Sequence, residues 1–300
     1  MKKNITWRKI SAETKSVWGG ETESFPDGAT QTPTFNSVAY AYKDLDEWAK
    51  VSKGEKKGHI YSRNTNPTLK IQDIKSLAKI AKKAGALVVV DNTLATPINQ
   101  NPLKLGADLV IHSATKFLCG HSDALGGLVC GNKDNIDRIF HFREINGASL
   151  GPEAAYLILR GMKTLALRVE KHNSNALKLA NWLFNHPKID QVYYPGLKTN
   201  LGHKIAQSQM KGFGGVLSFT LNGEENLIPN FISKLRFAHA AAHLGSVETI
   251  VGPPKTTSHV ENTVEERAQL GIPENMLRCS VGIENIDDII EDFRETFESL

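Results

Sequence analysis

The apolar run Leu109-Val110-Ile111 is closed by His112-Ser113-Ala114-Thr115-Lys116, and the turn Gly120-His121-Ser122-Asp123 follows. A second apolar run, Gly126-Gly127-Leu128-Val129, begins ten residues after Lys116. A lysine in that setting is drawn out of water, and burial lowers an ammonium pKa and yields a nucleophilic amine. Upstream, Leu87-Val88-Val89-Val90 ends in Asp91. In open parallel sheets ligands sit beyond the carboxyl ends of the strands, so Asp91 and Lys116 are expected to face one pocket. Pyridoxal phosphate requires this set: a lysine for its aldehyde, a carboxylate for its pyridinium nitrogen, and hydroxyls such as those of Ser113 and Thr115 for its phosphate. One lysine after a strand is ordinary surface chemistry. The conjunction with Asp91 carries the reading.

The elements that must hold these groups follow from periodicity. Met1 to about Lys57 is polar and irregular, broken by Pro26, Gly28 and Pro33, and reads as an arm with a short helix hinted at by Leu45, Trp48 and Val51. Leu69 to Ala84 places Ile71, Ile74, Leu77, Ala78 and Ala81 on one helical face, with Gly85 as the stop. Strands are then predicted at Ala86 to Val90, Leu109 to Ile111 and Leu128 to Cys130. Their continuous apolar runs suit strands covered on both faces of an α/β layer. Gly151-Pro152 opens a helix predicted to run through Trp182. Beyond it, strands at Gln191 to Tyr194, Gly215 to Thr220 and Leu277 to Gly282 alternate with helices at Ile228 to Lys234, Val264 to Leu270 and Ile286 to Phe297, a smaller α+β unit.

Composition removes several alternatives. The 36 basic and 32 acidic residues are mixed along the chain, and the densest run, Lys53 to Lys57, still contains Glu55, so no nucleic-acid tract is present. Cys119, Cys130 and Cys279 suit neither a disulfide framework nor a metal knuckle, and Cys119 with His121 reads as turn chemistry; a reduced compartment, the cytoplasm, is expected. Met1 to Ile10 is too polar for a signal peptide, and no segment has the length of a membrane span. The phosphate loop of nucleotide hydrolases, the glycine fingerprint of dinucleotide enzymes and the serine elbow of hydrolases are not found.

Several phrases together resemble the Cys/Met metabolism family of pyridoxal phosphate enzymes, which includes cystathionine γ-synthase, cystathionine and methionine lyases and O-acylhomoserine sulfhydrylases. They are Tyr61-Ser62-Arg63-Asn64-Thr65-Asn66-Pro67-Thr68, Val89-Val90-Asp91-Asn92-Thr93, His112 to Lys116, Tyr194-Pro195-Gly196-Leu197, Gly212-Phe213-Gly214-Gly215 and Leu277-Arg278-Cys279-Ser280-Val281-Gly282. The resemblance implies fold-type I: an aminotransferase-like α/β cofactor domain followed by a smaller C-terminal α+β domain. It makes Lys116 the Schiff-base lysine and proton shuttle, Asp91 the partner of the ring nitrogen, Ser113 and Thr115 phosphate ligands, and Arg278 the clamp on the substrate α-carboxylate. Tyr61 and Arg63 would reach from the arm into a neighbour's site, which implies a homo-oligomer with shared active sites.

The departures are equally informative. In the family a large block separates the Tyr-x-Arg phrase from a second phrase ending in Asn-Pro-Thr, whereas this chain has one copy, at Asn64 to Thr68. The chain reads as if the block between two similar strings were removed, leaving an incomplete sheet. The block would carry the helix start that cradles the phosphate, the aromatic residue stacked on the cofactor and about half of the strands. Asn66 would stand in for the second phrase's asparagine, which touches substrate carboxylate. The expected organisation is an arm over 1–65, a truncated cofactor domain over 66–165 and the α+β domain over 166–300. Ala241-Ala242-His243-Leu244-Gly245 lacks the glutamate that cystathionine-handling members tend to carry, and Thr256-Thr257-Ser258-His259 resembles the sulfhydrylase branch. His243 reads either as an acid or base near the lysine or as a structural histidine. The leading expectation is γ-replacement on an activated homoserine ester. The alternatives are γ-elimination from methionine, homocysteine or cystathionine, and a catalytically impaired remnant or interaction protein.

Overall fold

The computed structural model describes residues 71–223 and 227–300. The expectations for Tyr61, Arg63, Asn66, the arm and the fusion point at Asn64 to Thr68 lie outside the described residues.

Helix α1 (Ile74–Lys83) begins where the Asp73 carboxylate accepts the Ser76 amide, and Gly85, at φ +66°, turns the chain away just beyond its end. It buries Ile74 and Ala78 but leaves Leu77 and Ile80 exposed, so the covered stripe is narrower than the periodicity implies. Among the described residues the first sheet has three strands: β1 (Val89–Asp91) runs parallel to β2 (Leu109–Ser113), which is antiparallel to β3 (Gly127–Gly131). A one-turn helix, α2 (Thr96–Asn99), and a 3₁₀ turn at Pro102–Leu105 connect β1 to β2. The expectation that these strands are covered on both faces fails at β1. It starts at Val89 rather than Ala86, Leu87 and Val89 are 56% and 52% exposed, and Ile111 and Val129 also face outward. A three-stranded layer has too few neighbours to cover an apolar strand on both sides.

The long helix expected after Pro152 is two. After α3 (Lys133–Asn146) come α4 (Pro152–Met162) and α5 (Leu165–Phe184), and the chain breaks between them at Lys163-Thr164. The break is stabilised from α5 itself, because Arg168 donates at 2.7 Å to the Gly161 carbonyl, which also accepts the Thr164 amide, and at 3.1 Å to Thr164 Oγ1.

The second sheet has the order β4 (Ile189–Tyr193), β5 (Val216–Leu221), β8 (Met276–Ser280), β7 (Ile250–Gly252) and β6 (His239–Ala240). It is antiparallel except for the β6–β7 pair. The helices between and after its strands are α6 (His203–Gln209), α7 (Leu227–Lys234), α8 (Val264–Gln269) and α9 (Ile286–Glu298). Phe219, Phe231, Phe293 and Phe297 join α7 and α9 to the sheet in the larger core. The smaller core surrounds the segment after β2: Ala114, Phe117, Leu118 and Cys119 pack with Ile158 of α4 and with Leu165 and Val169 of α5. No helix among the described residues is long and apolar enough to cross a membrane.

Candidate active site

Lys116 is buried because its neighbours are core residues. Beyond β2 the chain coils once. The Lys116 amide donates to the Ser113 carbonyl at 3.1 Å, Cys119 to Ala114 at 2.9 Å, and Gly120 to Lys116 at 2.7 Å. Phe117, Leu118 and Cys119 drive that coil into the smaller core and carry the lysine with them, leaving it 4% exposed. Helix α5 then clamps the coil. The buried Arg168 guanidinium donates to the Phe117 carbonyl at 2.7 Å and to the Leu118 carbonyl at 3.3 Å, as well as to Gly161. Two glycines make room: a Cβ on Gly120 (φ +79°) would meet Arg168 Nη1 at 2.2 Å, and one on Gly161 would meet the Cys119 carbonyl oxygen at 2.1 Å.

Arg278 lies in the middle of β8, fully inside the second sheet, and burial brings its guanidinium down to about 10. Its Nη2 donates to the His243 carbonyl at 3.2 Å, and His243 Nδ1 lies 3.1 Å from Lys116 Nζ. Residues 116, 243 and 278 therefore meet although far apart in sequence. Helix α5 sets the second half of this arrangement too. His172 Nδ1 donates to the Val281 carbonyl at 2.7 Å, and Asn175 Nδ2 donates to the carbonyls of Gly282 and Glu284 at 3.0 and 2.9 Å. Burial first, then the Lys116 and Arg278 charges, hold the His243 imidazole at about 3, so it is neutral at ordinary pH.

The remaining expected residues are placed as follows. Asp91 ends β1 and is exposed, and its Oδ1 accepts the Thr93 amide at 2.9 Å. Because β1 and β2 are parallel, Asp91 and Ser113 leave the sheet at the same edge. Asp91 borders a cavity of about 370 Å³ walled by Ile74, Leu77, Val89, Leu94, Phe213 and Val216 among others, and Lys116 is not part of that wall. The expectation of one pocket shared by Asp91 and Lys116 does not extend to this cavity. The half-buried Ser113 takes its place through its amide, which donates to Thr93 Oγ1 at 2.8 Å. The Thr115 hydroxyl is engaged by backbone: it accepts from the Gly126 amide at 3.0 Å and donates to the Gly126 carbonyl at 3.3 Å. A hydroxyl so placed has at most one lone pair for a ligand.

Sequence reasoning missed Arg168, His172 and Asn175. Their signal was present: residues 168, 172 and 175 share a helical face with Leu165, Val169, Ala176 and Leu179, where polar side chains must find partners. Arg168→Ala would take the guanidinium from the Phe117 and Leu118 carbonyls, while the Gly161 carbonyl would keep the Thr164 amide and hydroxyl. It is expected to destabilise the fold by about 2 kcal/mol or more, at about 1–3 kcal/mol for each unsatisfied buried group, measured by urea unfolding. A loss below about 1 kcal/mol, the worth of one ordinary hydrogen bond, would mean that the coil holds without its clamp.

Residues 64–298 match the family model described as Cys/Met metabolism PLP-dependent enzyme. The chain is 44% identical over 260 residues to an L-methionine gamma-lyase of Fusobacterium nucleatum subsp. polymorphum, covering 86% of this chain and 66% of that protein. It is 45% identical over 237 residues to a cystathionine gamma-lyase of Bacillus subtilis, covering 79% and 62%. A crystal structure of cystathionine gamma synthase from Xanthomonas oryzae pv. oryzae in complex with aminoacrylate and cysteine aligns with a TM-score of 0.76 at 41% identity, over 79% of this chain and 61% of that one. The chain thus spans about two thirds or less of the length of these relatives. The mixed α/β architecture is that of fold-type I, as expected.

Proposed function

Since the chain belongs to the Cys/Met metabolism family of pyridoxal phosphate-dependent enzymes, we propose that it acts on a sulfur amino acid or its activated precursor, by γ-replacement on a homoserine ester. The observation that carries the proposal is the meeting of Lys116, His243 and Arg278: a buried amine held 3.1 Å from a neutral imidazole, whose own carbonyl receives the guanidinium. The residues present fit the cofactor in kind. Lys116 offers the amine, Asp91 an exposed carboxylate at the open edge of the sheet, and Ser113 and Thr115 the hydroxyls for the phosphate. When bound, pyridoxal phosphate supplies an electron sink for carbanion chemistry.

The chain's own residues supply the rest. Arg278 takes the α-carboxylate of the amino acid in a bidentate pair, which fixes the α-carbon relative to Lys116. Lys116 removes and returns protons at that carbon, and its burial keeps water from competing for them. Asn66 adds a second contact to the carboxylate, and Tyr61 and Arg63 complete a neighbouring subunit's phosphate site, which makes the active form a homo-oligomer; the cytoplasm is its proposed compartment. The division into an arm over 1–65, a cofactor domain over 66–165 and a C-terminal domain over 166–300 belongs to this same reading.

The lack of a glutamate at Ala241-Ala242 disfavours cystathionine as the ligand, and Thr256 to His259, where Ser258 Oγ and His259 Nδ1 lie 2.9 Å apart in a buried pair, favours the sulfhydrylase branch and with it replacement. Elimination is supported by the methionine and cystathionine lyases among the relatives. Product analysis separates them. With an O-acylhomoserine at high enzyme concentration, added thiol is expected to yield the thioether, and omission of thiol to leave little ammonia or oxoacid. Ammonia and oxoacid released at the same rate with and without thiol would assign the chain to elimination. The third reading, an impaired remnant, is favoured by the exposure of Val89 on β1 and of Leu87 just before it.

A further inference from the structure

The bond between Lys116 and His243 joins two turns 127 residues apart, and the protonation of the lysine sets its polarity. With Lys116 as the ammonium, which has three N–H donors and no lone pair, Nδ1 accepts and the imidazole proton sits on Nε2. We infer that His243 is a positioning residue that holds the Lys116 amine through the Nδ1 lone pair of its Nε2–H tautomer, fixing that amine beside the Arg278 clamp. The inference deepens the function proposed above and matters for catalysis only if Lys116 is the reactive lysine.

Three features show that the imidazole is built into place. Gly245, two residues on, adopts φ +77°, and a Cβ there would meet the Phe117 backbone nitrogen at 2.8 Å, so the His243 turn seats directly on the Lys116 coil. The Gly245 amide donates to Ser280 Oγ and the Val247 amide to the Gly120 carbonyl, both at 2.9 Å, which ties the turn to β8 and to the far end of the coil. The His243 carbonyl accepts Arg278 Nη2 at 3.2 Å, so one residue touches the amine with its side chain and the guanidinium with its backbone.

The acceptor is also kept available. Among the described residues, the charged groups acting on the imidazole are Lys116 and Arg278, both cations, and with burial they oppose an imidazolium. The consequence is directional. A neutral acceptor stabilises the ammonium over the amine and aims its lone-pair direction on deprotonation, so a lysine displaced from a cofactor would stay near the substrate rather than swing away.

The test uses the protein without cofactor, so its outcome does not depend on cofactor binding or turnover. In the unaltered protein, ¹⁵N NMR of the histidines at neutral pH is expected to show a pyridine-like Nδ1 and a pyrrole-like Nε2 for His243. A protonated Nδ1 would overturn the inference. Separately, the pH dependence of Lys116 acylation by acetic anhydride is read by peptide mass spectrometry. His243→Ala is expected to lower its midpoint by about 1–2 pH units, since hydrogen bonds to charged groups contribute about 1.5–3 kcal/mol. His243→Asn, whose Oδ1 can stand where Nδ1 stood, is expected to restore most of that shift. A merely structural histidine would lower the melting temperature of both variants and leave the two midpoints together, and that result would overturn the proposal. If the alanine variant does not fold, the NMR result on the unaltered protein decides alone.

Discussion

Lys116→Ala is expected to abolish the visible absorption band that develops when pyridoxal phosphate is added to the protein, and to reduce turnover by at least about 10²–10⁴, the scale of a lost acid–base group. The reasoning starts from position. Lys116 is the lysine that leaves β2 into the smaller core, where Phe117, Leu118 and Cys119 pull the coil inward and Arg168 fixes it through two carbonyls. Other lysines of the described chain, such as Lys75, Lys79 and Lys82 on α1, lie at the surface, in water rather than beside the strand ends. Spectral titration with the cofactor checks the first expectation. Borohydride treatment followed by peptide mapping checks the assignment, because reduction leaves the cofactor on the lysine that held it. An unchanged band in the alanine variant, or a label on another lysine, would remove Lys116 from its role.

Restoring the block that the family carries between its two Asn-Pro-Thr phrases is expected to have an effect of similar size in the opposite sense. As it stands, the first sheet has three strands among the described residues, and Leu77 and Ile80 of α1, Val89 of β1 and Leu87 just before β1 are about half exposed or more. Fully burying one such side chain is worth roughly 1.5–3 kcal/mol, so covering the remaining half of four contributes on the order of 3–6 kcal/mol. For a chain of this size that corresponds to a rise in melting temperature on the order of 10 °C. Turnover should rise with it, since the phosphate would regain a helix start whose amides favour an anion and the ring would regain a stacking partner. The present chain should also self-associate through the exposed β1 face, seen by light scattering, and the restored chain should do so less. Equal rates and equal cooperative melting in the two proteins would show that the fold closes without the block.

Much of the site was legible in the sequence because it depends on local order. Val88-Val89-Val90-Asp91 and Leu109 to Lys116 state their own strand ends, and those ends fall where β1 and β2 finish, within a few residues. In the second sheet β4, β5 and β8 and helices α7, α8 and α9 were legible for the same reason, since alternation and helical periodicity are properties of a few neighbouring residues, whereas β6, β7 and α6 show no such period. The helix from Pro152 was read as one element because no proline or turn signal marks Lys163-Thr164. Arg168 bonds Gly161 and Thr164 at the break and two carbonyls of the Lys116 coil, contacts that exist only once α5 has packed on that coil.

What the sequence by itself determined was the family and the fold class, and it supplied the residues of the candidate site. What only the tertiary structure decided was which of them meet. Lys116, His243 and Arg278 come together because three carbonyl-binding side chains on one face of α5 hold the coil of the first sheet and the end of β8 in the second at the same time. The exposure of β1 was hidden for the complementary reason. An apolar run declares that a strand seeks cover, but whether cover exists depends on how many other strands the fold can bring beside it.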